Sequence, residues 1–456
     1  MEKTSLKIVK ILQKAGFQAY WAGGCVRDML LGHEAKDYDI VTNATPDEIE
    51  KWLKKTIPIG RKFGVLLAIE GDHQFEVATF RSEGEYSDRR RPDSVSFTHA
   101  EEDAKRRDFT VNGLFYDPMA KKIYDYVGGQ KDLEERLLRF IGDPHQRIQE
   151  DHLRVLRAIR FKNTLNFQYH PDTYHALCTH AKLADEVSGE RIRDELNKMI
   201  VSEHFGDALE DMLETGVLKE TLPEAYAMKG VPQPYEYHHE GDVWEHTKEV
   251  VAALSKYASL NLRWAAFLHD IGKPPTFKLE ERIRFDHHSE EGAKIAQTIL
   301  RRLKFSRKDI EEIVWLIEHH MMIQQLLEMP LGRKRHWFLH PWFKDLLSLL
   351  EADIGGTSPA RYDMYTALAE QYKETLEKIP HPPAPLLDGN DIMKLLNLAP
   401  GKQVGEIATH LREKQLAHEL NTKPQAKKWL KENFNSDTKP RTEQQRSALP
   451  PYSPAK

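Results

Sequence analysis

Gly23-Gly24-Cys25-Val26-Arg27-Asp28-Met29-Leu30-Leu31-Gly32, followed closely by Asp37-Tyr38-Asp39-Ile40-Val41-Thr42, is the stretch whose reading decides the fold. Glycines at the start of a helix let backbone N–H groups approach phosphate oxygens, and the helix dipole favours the anion. Arg27 can add a forked, charge-assisted contact to the same phosphates. If Asp37–Thr42 is a strand, residues two apart share a face. Asp37 and Asp39 then point together while Tyr38 and Ile40 enter the core. Two carboxylates on one face suit a pair of Mg²⁺ ions, about 3.5–4 Å apart, that grip the attacking and leaving oxygens of a phosphoryl displacement. Taken singly, the Gly-Gly pair reads as a tight turn and Asp-x-Asp as a solvated strand end; their succession changes the weighting.

Outward from this stretch, Val65–Glu70 and Phe75–Phe80 flank the Gly71-Asp72 turn and predict a hairpin. Glu76 lies on it, a weaker third acidic candidate. Helical patterns surround these strands in Ser5–Ala15 and from Gly24 onward. From about Asp151 the pattern becomes almost wholly helical, with no strand pair expected. Within Asp151–Phe161, Asp151, Arg154, Arg157 and Arg160 recur every three residues, a stripe opposite Val155, Leu156 and Ile159. Alone, such a stripe reads as a solvated face. Val231-Pro-Gln-Pro-Tyr235 and Ile379-Pro-His-Pro-Pro-Ala-Pro385 cannot sustain a helix and read as linkers. Short amphipathic helices are expected at Asp391–Leu398 and Val404–Leu420, and a polar tail closes the chain.

The chain has 456 residues and a formal net charge of −5. At about 150 residues per domain this implies about three domains, enough to bury several cores without disulfides. The two cysteines, Cys25 and Cys178, are far apart, which points to a reducing compartment. Met1–Ala15 is a charged amphipathic run rather than a secretory signal. No segment approaches the roughly 18–20 apolar residues that span a bilayer, so a cytoplasmic protein with no membrane partner is expected. Mild acidity argues against a surface coated in positive charge, yet a local basic face can sit on an acidic whole.

The glycine turn with Asp-x-Asp resembles the nucleotidyltransferase superfamily that includes polymerase-beta-like enzymes, and more narrowly the bacterial class of CCA-adding enzymes and poly(A) polymerases. Three further stretches are similar to that family. These are Arg106-Arg107-Asp108-Phe109-Thr110-Val111-Asn112-Gly113, Glu150–Phe161, and Ser82–Phe97 with Arg89-Arg90-Arg91-Pro92. The resemblance covers residues 15–230. It implies an α+β nucleotidyltransferase (polymerase-beta-like) head followed by an all-α neck or body and an all-α HD domain. It also implies catalytic, Mg²⁺-holding Asp37 and Asp39. Gly23, Gly24, Arg27, Arg107, Asp108 and Asn112 would lie at the ribose and triphosphate. Asp151 and Arg154 would hydrogen-bond the edge of the incoming cytosine or adenine, using the donor and acceptor logic of side-chain readout. Arg157 and Arg160 would lie towards the triphosphate. The implied partners are a tRNA 3′ end, CTP and ATP; poly(A) addition, or addition of A alone, shares the same head chemistry. Oligomeric state stays open.

A second constellation comprises His246, His269-Asp270 and Asp353. His269 follows the apolar run Trp264–Leu268, and imidazole with carboxylate suits a transition metal or Mg²⁺. The ordered set resembles the HD phosphohydrolase domain and implies a divalent metal of unknown identity. His288 fits a further ligand position of two-metal versions; His319 and His320 compete for another. Members joining this domain to a nucleotidyltransferase include enzymes that hydrolyse phosphate mono- or diesters, 2′,3′-cyclic phosphates among them. A reading from another class makes the chain an HD phosphohydrolase with an RNA-binding head. The expected division is a head at 1–140, a neck at 141–230, an HD domain at 236–375, a small helical module at 386–432 and a disordered tail at 433–456.

Overall fold

The computed structural model describes residues 1–434 apart from Asp88, Arg91 and Tyr237. Arg91 of the basic loop and the expected tail beyond residue 434 therefore lie outside the described residues. Two compact units divide the chain, Met1–Tyr226 and Ala227 onward.

The first unit opens with the helix Glu2–Lys14, which buries Ile8, Val9 and Leu12. Its strands are β1 (Ala19–Ala22), β2 (Asp39–Thr42), β3 (Thr56–Gly60), β4 (Val65–Glu70), β5 (His73–Thr79), β6 (Arg81–Glu83), β7 (Val95–Phe97), β8 (Phe115–Asp117), β9 (Lys122–Tyr124), β10 (Leu137–Leu138) and β11 (Gln168–Tyr169). Seven of them form one mixed sheet in the order β3-β4-β5-β2-β1-β8-β9. The expected hairpin is β4–β5, pairing Glu70 with His73 across the turn. Strand β2 is central: it runs antiparallel to β1 and parallel to β5. Ile40, Val41 and Thr42 are accordingly all buried, as expected of a strand covered on both faces. The two ends of the basic stretch pair as the separate hairpin β6–β7, Arg81 opposite Phe97 and Glu83 opposite Val95.

Two expectations are corrected here. Strand β2 begins at Asp39, so Asp37 precedes the ladder and strand alternation does not fix its direction. The neck is not purely helical, because β11 pairs in parallel with β10, Leu138 opposite Tyr169. Both strands have two residues, too short to leave a period in the sequence. The neck otherwise consists of helices, among them Pro144–Glu150, Arg154–Leu165, Gly189–Ile200 and Phe205–Glu214. Buried Asp211 ties them together by accepting hydrogen bonds from Asn163 Nδ2 at 2.6 Å and Tyr169 Oη at 3.0 Å.

The second unit is helical but carries a hairpin, β12 (Phe277–Leu279) with β13 (Ile283–Phe285). That corrects the all-α expectation for the HD domain; strands of three residues alternate too briefly to be read. The helices begin where side chains cap them: Asp242, Ser259 and Ser306 accept from the amides of Glu245, Leu262 and Asp309, satisfying otherwise orphaned donors. Helices Gly389–Leu396, Lys402–Leu416 and Lys423–Phe434 enclose Ile392, Ile407, Leu411, Ala426 and Leu430. Asn433 and Phe434 complete that last helix rather than opening a tail. No described helix is long and apolar enough to cross a membrane.

Candidate active site and metal centre

Strand β1 ends at Ala22, and Gly23 turns the chain with φ 71° into the helix Gly24–Leu30. A side chain at Gly23 would meet two obstacles. The left-handed φ disfavours any Cβ, and that atom would stand 3.0 Å from an Arg107 guanidinium nitrogen. The turn thus lets Arg107 press against backbone, where it also donates to the Asn112 carbonyl at 3.4 Å and lies 5.0 Å over the Phe115 ring. Arg27 donates to Asn112 Oδ1 at 2.7 Å and to Asp28 at 2.7 and 2.9 Å.

Asp39 sits beside this turn. The parallel register that sets Ile40 opposite Val77 puts Asp39 next to Glu76. Desolvation at the strand end raises the Asp39 carboxyl, and Glu76 and Asp37 push it further up against the pull of Arg107. An acidic group held by its neighbours in this way is relieved by a cation. The weak third candidate, Glu76, therefore belongs to the acidic set.

Asp108 is largely buried. Burial alone would raise its carboxyl, but the Arg157 guanidinium, with Asn112 and the Phe109 amide, holds it well below the usual carboxylate range. Arg157 reaches it at 2.5 and 3.1 Å. The expected stripe is not an open cationic face. The helix starts only at Arg154, and Asp151 stands before it in extended conformation. Asp151 accepts two hydrogen bonds from Arg191, at 3.0 and 2.8 Å. Arg154 donates to Glu150 at 2.7 Å, and Arg160 pairs with Glu195 at 2.6 Å. Sequence reasoning missed Arg191 and Glu195. Their signal was four-residue spacing on the helix Gly189–Ile200, where Glu195 lies buried beside Ile192 and Leu196.

In the second unit, five helices bring together His246, His269, Asp270, His288, His320 and Asp353. His246, His269 and Asp353 can present their ligand atoms within 4.8 Å of one another, as can Asp270, His288 and His320. Asp270 joins the two groups. Its Oδ2 lies 3.2 Å from His269 Nε2 and 3.7 Å from His246 Nε2, while its Oδ1 lies 3.5 Å from His288 Nε2 and 3.9 Å from His320 Nε2.

The Nδ1 atoms of His269, His288 and His320 face the carbonyls of Ala266, Phe285 and Ile317 at 2.8, 2.9 and 2.7 Å. His246 Nδ1 faces Glu240 at 3.0 Å. A carbonyl only accepts, so the Nδ1 atoms of His269, His288 and His320 carry the proton and their Nε2 atoms are left as lone pairs, the usual outer shell of a metal-binding histidine. His288 and His320 then aim lone pairs at each other across 3.3 Å. Buried His269 Nε2 makes no hydrogen bond, and the Asp270 Oδ2 beside it has the Lys273 ammonium as its ion-pair partner at 2.6 Å. A buried lone pair and carboxylate so placed fit a cation among them. Burial and the imidazoles of His269 and His288 push His320 down to about 3, keeping it neutral.

The structure also decides between the two candidate histidines. His320 joins the cluster, whereas His319 bonds the Trp315 carbonyl at 2.8 Å and packs against Trp315 and Trp337. Lys273, Gln233 and Glu240 were not foreseen. Lys273 Nζ stands 2.6 Å from both Asp270 Oδ2, three residues earlier, and Gln233 Oε1, and no spacing rule connects the second contact.

Three family models match: a poly A polymerase head domain at residues 19–139, a probable RNA and SrmB-binding site of polymerase A at 166–228, and an HD domain at 243–331. Fold and site together define a polymerase-beta-like nucleotidyltransferase joined to an HD domain. The chain is 30% identical over 433 residues to a CCA-adding enzyme of Bacillus velezensis, covering 93% of this chain and 97% of that one. It belongs to the family of CCA-adding enzymes. A Bacillus licheniformis CCA-adding enzyme is 40% identical over 277 residues, which span 59% of this chain and only 64% of the relative. Among solved structures, the Bacillus stearothermophilus CCA-adding enzyme in complex with CTP superposes with a TM-score of 0.70 at 26% identity, covering 94% of this chain and 96% of that one.

Proposed function

We propose that the chain adds cytidine, cytidine and adenosine to tRNA 3′ ends from CTP and ATP without a nucleic-acid template. The observation that carries this is the acidic set Asp37, Asp39 and Glu76 beside a glycine turn against which Arg107 is pressed. In the reaction the 3′-hydroxyl of the RNA attacks the α-phosphorus, the bond to the β-phosphate breaks, and pyrophosphate leaves with the electron pair while the proton passes to solvent. Asp37 and Asp39 would hold Mg²⁺, which when bound lowers the pKa of the hydroxyl and neutralises the leaving group. Gly23 and Gly24 admit the phosphates close to backbone, and Arg27, Arg107, Asp108 and Asn112 position them and the ribose. The chemistry asks for positioning and charge neutralisation, with no covalent protein nucleophile.

Asp151 and Arg154 read the base. Arg191 and Glu150 already orient them, so an incoming base exchanges partners with preset groups. Arg157 and Arg160 lie on the triphosphate side. Residues 1–140 supply the chemistry and 141–230 the base reading. Two cysteines without a disulfide and a tRNA substrate favour the cytoplasm. The test is a tRNA lacking its last three nucleotides, incubated with CTP, ATP and Mg²⁺. The product should stop after C, C and A; a long adenosine tail, or addition of A only to an end already carrying CC, would refute the assignment.

For residues 236–375 the reading is hydrolysis of phosphate mono- or diesters by water. His246, His269, Asp270 and Asp353 would bind one divalent cation, and Asp270, His288 and His320 are placed for a second. A bound cation would supply a hydroxide at neutral pH. The buried His269 Nε2, without a hydrogen bond and 3.2 Å from the Asp270 carboxylate, supports this. Release of phosphate or opening of a 2′,3′-cyclic phosphate by metal-loaded protein checks it, and His269→Ala should abolish either.

A further inference from the structure

The acidic set of the first unit stands at one end of a row that crosses the sheet. Asp39 of β2 lies next to Glu76 of β5, register sets Leu67 of β4 opposite Glu76, and Ile57 of β3 opposite Leu67. Paired residues share a face of the sheet, so Asp39, Glu76, Leu67 and Ile57 follow one another on the same side. The alternate residues Leu66, Ala68, Phe75 and Val77 point the other way and are buried. The row therefore lies on the open face, and its outer end is apolar. Ile57 is 43% exposed and Ile59, further along the edge strand, 53%. A lone exposed aliphatic side chain needs no explanation; one in line with a catalytic acidic set does.

The neighbouring row carries a cation. The Lys55 carbonyl accepts from the Ile69 amide at 2.9 Å, which extends the β3–β4 ladder and puts Lys55 on the face of Ile57. Gln74 pairs with Ile69 from the other side, and both Lys55 and Gln74 are exposed. Pro58 has no amide hydrogen to offer at this sheet edge, which blunts it against pairing with a second chain. Neighbouring strands lie about 4.8 Å apart, so Ile57 stands about 14 Å from Asp39. That is the length of about four stacked nucleotides at roughly 3.4 Å each.

We propose that this row seats the acceptor strand of the RNA behind its attacking 3′-hydroxyl, Leu67 and Ile57 packing on base and ribose and Lys55 pairing with a phosphate. Three observations favour that occupant: the row is continuous with the carboxylates at which the hydroxyl must arrive, it is a few nucleotides long, and its cation complements a polyanion. Apolar side chains hold nucleobases by contact, and a cation beside them tracks the backbone. The inference rests on the addition reading given above and deepens it, making Ile57 and Lys55 positioning residues for the growing end.

The full chain with Mg²⁺, CTP and a tRNA lacking its last three nucleotides tests it. Ile57→Ser should raise KM for tRNA about tenfold, the effect of returning an isoleucine side chain to water, with KM for CTP and kcat unchanged. Ile57→Leu should restore it. Because Ile57 is already exposed, the melting temperature should hold in both variants. Lys55→Gln should lower the slope of log KM against log salt by about 0.7, the value of one single-strand phosphate contact. Independently of turnover, 4-thiouridine placed singly at the second to fifth nucleotide from the 3′ end should crosslink to the tryptic peptide 56–61 from at least one position. An unchanged KM for tRNA in Ile57→Ser, an equal rise in KM for CTP, or crosslinks to that peptide from none of the four positions would overturn the docking row while leaving the addition reading intact. A concentration-dependent dimer dispersed by Ile57→Ser would give the face to a second copy and overturn it as well. Failure of the unaltered protein to extend the tRNA would overturn that reading and this inference with it.

Discussion

Asp108 and Arg157 show how much a single pair holds here. The carboxylate is largely buried and takes hydrogen bonds from Arg157, Asn112 and the Phe109 amide. Replacing it by Asn leaves a guanidinium without its counter-charge. Because the Arg157 side chain keeps 30% exposure, the expected loss is about 2–3 kcal/mol, below the 3–5 typical of a fully buried pair; urea unfolding of Asp108→Asn measures it. Burial acts to raise this carboxyl and Arg157 overrides it, so the folded pKa lies below the unfolded value of about 3.9. Stability from its ionisation is therefore complete above that value and is lost as the pH falls below it. The wild-type unfolding free energy should drop below about pH 4, and Asp108→Asn should flatten that part of the curve. At the same scale, Asp37→Ala should cut nucleotide addition at least about a thousandfold without lowering the melting temperature, since this exposed carboxylate is not part of the packing.

Among the elements, the decisive contacts are backbone to backbone. A Cβ at Gly272 would stand 2.0 Å from the His288 carbonyl and 2.5 Å from the Gly292 amide, so the loop after His269 lies directly on the helix His288–Arg302. Gly272→Ala must push these apart and displace His288. The expected result is loss of bound divalent metal from the second unit, measured by elemental analysis of the purified protein, with nucleotide addition unchanged. Gly332 is a second such point, 2.0 Å from the Glu413 carbonyl for an added Cβ. There the helix Leu331–Phe338 meets Lys402–Leu416, reinforced by Arg333 to Glu413 at 2.9 Å and Arg335 to the Leu416 carbonyl at 2.8 Å. Gly332→Ala should loosen the C-terminal helices and raise amide exchange in 389–434. Glycine in the sequence could be read as a turn at Gly23, because a second glycine and a helical run followed it. At Gly272 and Gly332 the partner strand of chain is remote in sequence, and nothing local announces the approach.

For the molecule as a whole, two units with separate cores imply separable activities and stabilities. Asp37→Ala should abolish addition and spare hydrolysis, and His269→Ala should do the reverse. In buffer without added Mg²⁺, chelation should lower the melting transition of the second unit and leave that of the first unchanged. A cation present at a hundredfold its dissociation constant contributes about 2.7 kcal/mol to the unit that binds it, and scanning calorimetry with and without chelator reads the shift. The amino-acid sequence by itself determined the class of fold, the hairpin at Gly71-Asp72, the acidic pair and the histidine–aspartate set, because each is carried by neighbours or by residue types that few other tasks require. The −5 charge determined little, since it averages cations and acids irrespective of position. Tertiary structure alone decided that Glu76 joins Asp39, that Asp151 is held by Arg191 outside the helix, and that His320 rather than His319 faces Asp270. Those outcomes depend on strand register, helix ends and loop anchors. They fix direction in space, and a linear pattern records only order along the chain.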